Sequence, residues 1–274
     1  MKVNPPTLAS APISGLVVTY NDSRHLRDCL QAMRFCQELI VVDLGSTDDC
    51  VAIATACGAS VVPHTHVPTA ALVRAEAVAL ARHDWILFMD PDEVLAAGIE
   101  GELRRAMYEN PAVGQICVPF QYCFMGKPLR GTIWDSKTNG RPILFHKGRV
   151  TLSAMIHHDV ILKDGFGAVR VALQRPEYHT THYWIDSYAQ LLEKHRRYLQ
   201  TEGESRYQRG ARFSYIRMYG ASLRALKSSL IDFRGYHNIR ELFLSFFYAW
   251  YTLMAHLSLK RYQEMCEQTQ VHKL

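Results

Sequence analysis

The chain has 274 residues, is 48% hydrophobic and 21% charged, and carries a formal net charge of +5. Those proportions belong to a folded globular protein and exclude a disordered or fibrous one. The positive charge is mild, nucleic-acid binders usually cluster theirs more strongly, and phosphates or an anionic membrane surface are left as candidate partners.

"ISGLVVTYN" predicts a first strand that ends in a polar break. Leu26, Cys29, Leu30 and Met33 follow at helical spacing, with Asn21, Asp22 and Ser23 as available caps. "LIVVD" predicts a second buried strand, and Ser46 or Thr47 is expected to cap the helix that Gly58 closes. "ASVVPH", the helix-forming "TAALVRAEAVALARH" and "WILFMD" complete four strand units. Strands alternating with helices imply a mostly parallel sheet, covered on both faces, that binds ligands at the carboxyl ends of its strands. Thr19, Tyr20, Asn21, Asp43, Asp90 and Asp92 fall at those ends.

From about 115 to 182, short apolar runs with Gly and Pro between them predict added strands and loops. Three helices are expected beyond: one through Tyr188, Leu191, Leu192, His195, Tyr198 and Leu199, one over Arg212–Ile231, and an unusually apolar one from Asn238 to about Tyr262. The seven cysteines are scattered singly, which predicts reduced thiols and a cytosolic setting. "MKVNPPTLASAPISG" lacks the apolar core of a signal peptide, so export is not expected.

"DWILFMDPDEVL" places Asp90, Asp92 and Glu93 directly after a buried strand. Two carboxylates at i and i+2 can share Mg²⁺ or Mn²⁺ together with substrate phosphates; alternatively, they favour the start of a following helix. Asp48 has the same two readings, and Arg74 is either a ligand or the partner of Glu76.

"VVTYN", "VVDLGSTDD" and "DWILFMDPDEVL", in this order, resemble family 2 of the inverting nucleotide-sugar glycosyltransferases, nearest to the bacterial lipopolysaccharide inner-core glucosyltransferases. The resemblance is strong over residues 13 to 95 and weaker beyond. It implies an α/β GT-A fold with a Rossmann-like, mostly parallel sheet. A catalytic domain would cover 1–183, its nucleotide-sugar half about 1–115 and its acceptor half about 116–183, with a helical C-terminal region over 184–274. By the same resemblance Thr19, Tyr20 and Asn21 border the base, Asp43 binds uracil or ribose, and Ser46 and Asp48 shape that loop. Arg74 lies near the donor, Asp90 contacts metal and diphosphate, and Asp92 holds the metal. The chain departs from the family pattern at Leu44, Asp49, Ala75 and Pro91.

In "AMIHHDV", His157 matches the His of a His-Glu pair, and His158 stands where Glu is expected. An inverting transferase needs a base for the acceptor hydroxyl; Asp159 is favoured, then His158. His157 is a candidate metal ligand, with packing histidines as the alternative. His179 and His182 are expected to have no site role, and His64 and His66 to be solvated. These readings converge on a metal-dependent hexosyltransferase using Mn²⁺ or Mg²⁺, a UDP-hexose donor and a glycan or glycolipid acceptor of the cell envelope. A noncatalytic sugar-nucleotide-binding or membrane scaffold protein and a nucleotidyltransferase are the alternatives. The run "LFLSFFYAWYTLMAHLSL", free of charged residues and flanked by basic ones, suits either a core helix or an interfacial segment on the cytoplasmic face of the inner membrane.

Overall fold

The computed structural model describes residues 11–67, 72–129, 140–152, 160–173, 175–232 and 238–271. The described residues form two units, drawn from Met1–Gln121 with Ser136–Tyr183 and from Tyr122–Asp135 with Trp184–Leu274. The fold is the expected mixed α/β architecture with a large, mostly parallel sheet and C-terminal helices.

In the first unit, β1 (Ile13–Thr19), β2 (Glu38–Asp43), β3 (Ser60–Pro63) and β4 (Trp85–Met89) are joined through α1 (Leu26–Ala32), α2 (Cys50–Ala56) and α3 (Arg74–Leu80). A two-residue β5 (Glu93–Val94), α4 (Ile99–Glu109), β6 (Val113–Val118) and β7 (Phe120–Phe124) follow. The first unit then adds β9 (Arg141–His146), β10 (Val150–Leu152), β11 (Val160–Leu162) and β12 (Gly167–Arg170), while β8 (Lys127–Pro128) and the C-terminal ends of β7 and of β13 (Thr180–Ile185) belong to the second. The main sheet has the order β12-β6-β9-β4-β1-β2-β3, and only β9 runs antiparallel to its neighbours.

All seven residues of β1 are buried, because helices cover both faces of a sheet in which this strand is central. Side-chain alternation divides the apolar set. Leu16, Val18, Ile40, Val42, Ile86 and Phe88 pack with Val73, Ala77 and Val78 around α3 on one face. The helices start later than their sequence caps suggest. His25 occupies the N-cap of α1 and Asp49 that of α2, neither with a side-chain capping bond, because the polar residues upstream are bonded to one another across two loops.

The second unit contains α5 (Tyr188–Gln208), α6 (Tyr215–Lys227) and α7 (Ile239–Val271). Ser187, Ser214 and Asn238 cap them through their side chains. Phe124, Leu129, Trp184, Ile185, Leu191, Leu244, Phe247 and Tyr248 form the core. Among the described residues α7 alone is long and apolar enough to cross a membrane. One side of it, however, is occupied inside this unit: Leu244, Tyr248, Ala255 and Leu259 are buried there.

Candidate active site

Parallel pairing brings the chemistry to one edge of the sheet. Thr19 and Asp43 are register partners at the ends of β1 and β2, and Val17 pairs with Met89, the last residue of β4. Asp43 and Asp90 therefore sit two strands apart, roughly 10 Å at the usual strand spacing.

The loop after β2 is built around Asp43. Its buried carboxylate accepts hydrogen bonds from Gly45 N at 3.2 Å and Ser46 N at 3.1 Å. The turn requires φ +83° at residue 45, which glycine adopts without strain. Asn21, itself at φ 49°, donates its backbone N–H to Ser46 Oγ at 2.9 Å and accepts from Thr47 N at 2.7 Å. Asp48 accepts from Ser23 N and from Cys50 N. Partial burial pushes the Asp48 carboxyl up, but the bonds from Cys50 and Ser23 outweigh it and hold the group below its usual value. Asn21, Ser46 and Asp48 thus staple two loops together. Thr19 is buried, with Oγ1 3.2 Å from Cys50 Sγ. Tyr20 is exposed, and its ring packs 4.2 Å from that of His66. His64 is not simply solvated: it is half-buried and lies 3.3 Å from Glu76.

The turn after β4 gathers charges that are distant in sequence. Glu93 is almost wholly buried; its Oε2 accepts from Asp90 N at 3.2 Å and its Oε1 from Arg141 Nη1 at 2.5 Å. Burial pushes the Glu93 carboxyl up, Arg141 and His182 pull it down, and Asp90 and Asp92 add to the rise. Arg141 also lies 3.9 Å from Asp90 Oδ2 and stacks over Phe120 at 4.5 Å. Antiparallel pairing of β5 with β13 sets His182 opposite Glu93, which places its Nε2 3.3 Å from Asp92 Oδ2. Arg141 Nη1 lies 3.4 Å from His182 Nδ1. The same Nδ1 lies 3.5 Å from Glu93 Oε1, so the imidazole sits among the guanidinium and both carboxylates. The Cys29 thiol, pushed well up by burial and then by the carboxylates of Glu93, Asp92, Asp90 and Asp22, donates to Asp90 O at 3.5 Å. Arg74 stacks over Phe88 at 4.3 Å, while Glu76 faces His64 instead of pairing with it. Burial lowers the Arg74 pKa, and the neighbouring Asp90 opposes that effect.

Thr19, Tyr20, Asn21, Asp43, Ser46 and Asp48 are thus brought together at one end of the sheet, as are Arg74, Asp90 and Asp92. His157, His158 and Asp159 lie outside the described residues. The sequence places Glu93 beside Asp90 and Asp92 without a role of its own, gives Arg141 none, and leads to none being expected for His182. His179 follows a 3-10 turn and His182 lies on β13, so the two do not share a helix face.

The oxygen donors Asp90, 41% exposed, and Asp92, 16% exposed, suit Mg²⁺ or Mn²⁺. Among the described residues no three His, Cys, Asp or Glu side chains form a metal-binding group. A divalent ion would therefore need diphosphate oxygens or water to complete its coordination, which is how Mg²⁺ is commonly held.

The sequence matches the family model of glycosyl transferase family 2 over residues 14–166, more than half of the chain. An uncharacterized glycosyltransferase of Rickettsia conorii is 34% identical over 93 residues, 34% of this chain and 33% of that protein. A TPR repeat-containing protein of Synechococcus elongatus is 34% identical over 106 residues, 38% of this chain and 26% of that protein. The chain thus spans about a quarter to a third of the length of these curated relatives. A solved structure, glucosyl-3-phosphoglycerate synthase from Mycobacterium tuberculosis in complex with Mn²⁺, UDP and phosphoglyceric acid, superposes with a TM-score of 0.36 at 22% identity, covering 41% of this chain and 43% of that one.

Proposed function

The chain belongs to glycosyl transferase family 2, and from that premise we propose that it moves a hexose from a UDP-linked donor to an acceptor hydroxyl with inversion. The acceptor is a cell-envelope glycan or glycolipid of the lipopolysaccharide inner-core kind, reached from the cytoplasmic face of the membrane. Residues 1–183 carry the chemistry and residues 184–274 form the accessory helical region.

The observation that carries this reading is the placing of Asp43 and of the Asp90–Asp92 pair at the carboxyl ends of two strands that flank β1. A separation of roughly 10 Å suits a nucleoside diphosphate lying across the strand ends. In this reading Thr19, Tyr20, Asn21 and Asp43 meet the nucleoside, with Ser46 and Asp48 holding the loop. Asp90 and Asp92 would hold Mn²⁺ or Mg²⁺, an ion that would neutralise charge on the departing diphosphate. Arg74 and Arg141 supply fixed positive charge beside the same carboxylates, so that less reorganisation is needed as the leaving group forms. Asp159, or failing it His158, takes the acceptor proton. Glu93 and His182 hold the two aspartates in place.

The test is Asp92→Asn, assayed with a panel of nucleotide sugars and Mn²⁺ while circular dichroism monitors folding. We expect transfer to fall at least about 100-fold, the scale of losing one transition-state charge stabiliser. An Asn variant that folds and transfers at the parent rate overturns the assignment. Donor binding by the parent without any turnover would instead favour a scaffold.

A further inference from the structure

Helix α6 has an apolar stripe that the fold leaves uncovered. Met218 and Ser222 face inward and are buried, and Ser222 Oγ donates to Met218 O at 3.0 Å. Ile216, Tyr219 and Leu223, at i, i+3 and i+7, stand 86%, 56% and 66% exposed. At 100° per residue the three fall within a stripe about 60° wide, its centre turned roughly 110° from that of Met218 and Ser222. Three large side chains aligned in water are a recognition feature rather than scattered surface residues.

Charge identifies the occupant. From Tyr215 to Lys227 there is no Asp or Glu, while Arg217, Arg224 and Lys227 are all exposed. Residues 184–274 hold 14 Lys and Arg against 8 Asp and Glu, whereas residues 1–183 hold 17 against 18. The whole basic excess therefore lies in the C-terminal third. A second copy of the same acid-free helix would meet it with like charge, and a neutral apolar groove would leave the three cations without partners. Anionic lipid satisfies both halves of the helix: the stripe enters the acyl boundary, and the guanidinium and ammonium groups stay among the headgroups.

We propose that the helical unit docks on an anionic bilayer surface through α6, with Ile216, Tyr219 and Leu223 inserted and Arg217, Arg224 and Lys227 at the headgroups. This differs from anchoring by α7. Although α7 has the longer apolar run and also leaves Phe246 and Trp250 exposed, it carries no Lys or Arg between Arg240 and Lys260, whereas α6 interleaves its cations with its exposed apolar side chains. The inference narrows the membrane-side reading given above, but it concerns lipid binding alone and stands or falls without a sugar donor.

The experiment is flotation of the full chain with phosphatidylcholine vesicles, with and without phosphatidylglycerol, in the absence of nucleotide sugar. The parent is expected to float only with the anionic vesicles and to be released by high salt, which screens the cations. The double variant Ile216→Asp/Leu223→Asp, at exposed positions and verified by circular dichroism, should lose at least about tenfold in vesicle partition. Three results overturn the proposal. The parent stays unbound with anionic vesicles at low salt, the double variant floats as the parent does, or the parent is a concentration-dependent dimer that the double variant abolishes. Failure here with transfer intact leaves the glycosyltransferase reading standing.

Discussion

Glu93 is the residue on which the order of the carboxylate turn depends. It is a buried acid whose two oxygens face Asp90 N and Arg141. A buried carboxylate stripped of its cation is strongly destabilising, whereas replacing both members of a pair is often nearly neutral. Arg141→Met should therefore lower stability by about 2 kcal/mol, toward the low end for a buried pair because Arg141 is itself 36% exposed. Adding Glu93→Gln should restore most of that loss. Urea unfolding of both single variants and the double variant measures the coupling, and strictly additive losses would show that the pair does not hold the turn. This site was half legible in the sequence. Asp43, Asp90 and Asp92 each follow an apolar run, so a local pattern reveals them. Arg141 lies 48 residues beyond Glu93 and arrives through an antiparallel strand inserted into a parallel sheet. His182 arrives through pairing with a two-residue strand too short to leave a periodic signal.

Elements were legible where their own period was strong, and less so where tertiary contacts set their limits. The β1–β4 strands and the three C-terminal helices stand close to where hydrophobic spacing places them. The end of α7 does not: the apolar run stops near Leu259, but the helix continues to Val271. The approach of α5 to α7 is likewise absent from any pattern. At Gly203 an added Cβ would lie 2.4 Å from Ser258 O, while Ser258 Oγ donates to Leu199 O at 2.9 Å. Gly203→Ala therefore sets two effects in opposition. Helix propensity favours Ala by about 1 kcal/mol. Forcing a methyl against a backbone carbonyl in a packed contact costs about 1–3 kcal/mol. The clash is with backbone, which cannot swing aside, so the net change should be destabilising and the melting temperature should fall by a few degrees. An unchanged or raised melting temperature would mean that these helices slide apart without loss.

At the scale of the whole molecule, acid should be the disruptive condition. Three histidines, His146, His195 and His256, are held below their usual pKa, each chiefly by burial. His195 is the most enclosed. Its Nδ1 lies 2.7 Å from Leu191 O and its Nε2 2.5 Å from the Tyr248 hydroxyl, with Trp184, Phe247 and Tyr251 rings around it and the charge of Lys194 also opposing protonation. A carbonyl can only accept, so Nδ1 carries the proton and Nε2 accepts from Tyr248, whose own pKa burial pushes well up. The ring is thus neutral in the fold, and a second proton could reach Nε2 only if the Tyr248 hydroxyl gave up its hydrogen bond. Below the ordinary histidine value of about 6.5 the unfolded chain binds that proton and the folded chain resists it. Stability should therefore fall as pH drops from about 6.5 toward 5, by up to about 1.4 kcal/mol per pH unit for each such group. His195→Gln, which keeps a polar group at that position but cannot titrate, should start less stable at neutral pH and show a shallower decline. Melting curves of parent and variant across that range provide the comparison. Parallel declines would place the acid sensitivity elsewhere, in His146, His256 or the carboxylates, and would mean that the His195–Tyr248 pair packs the helical core without linking it to pH.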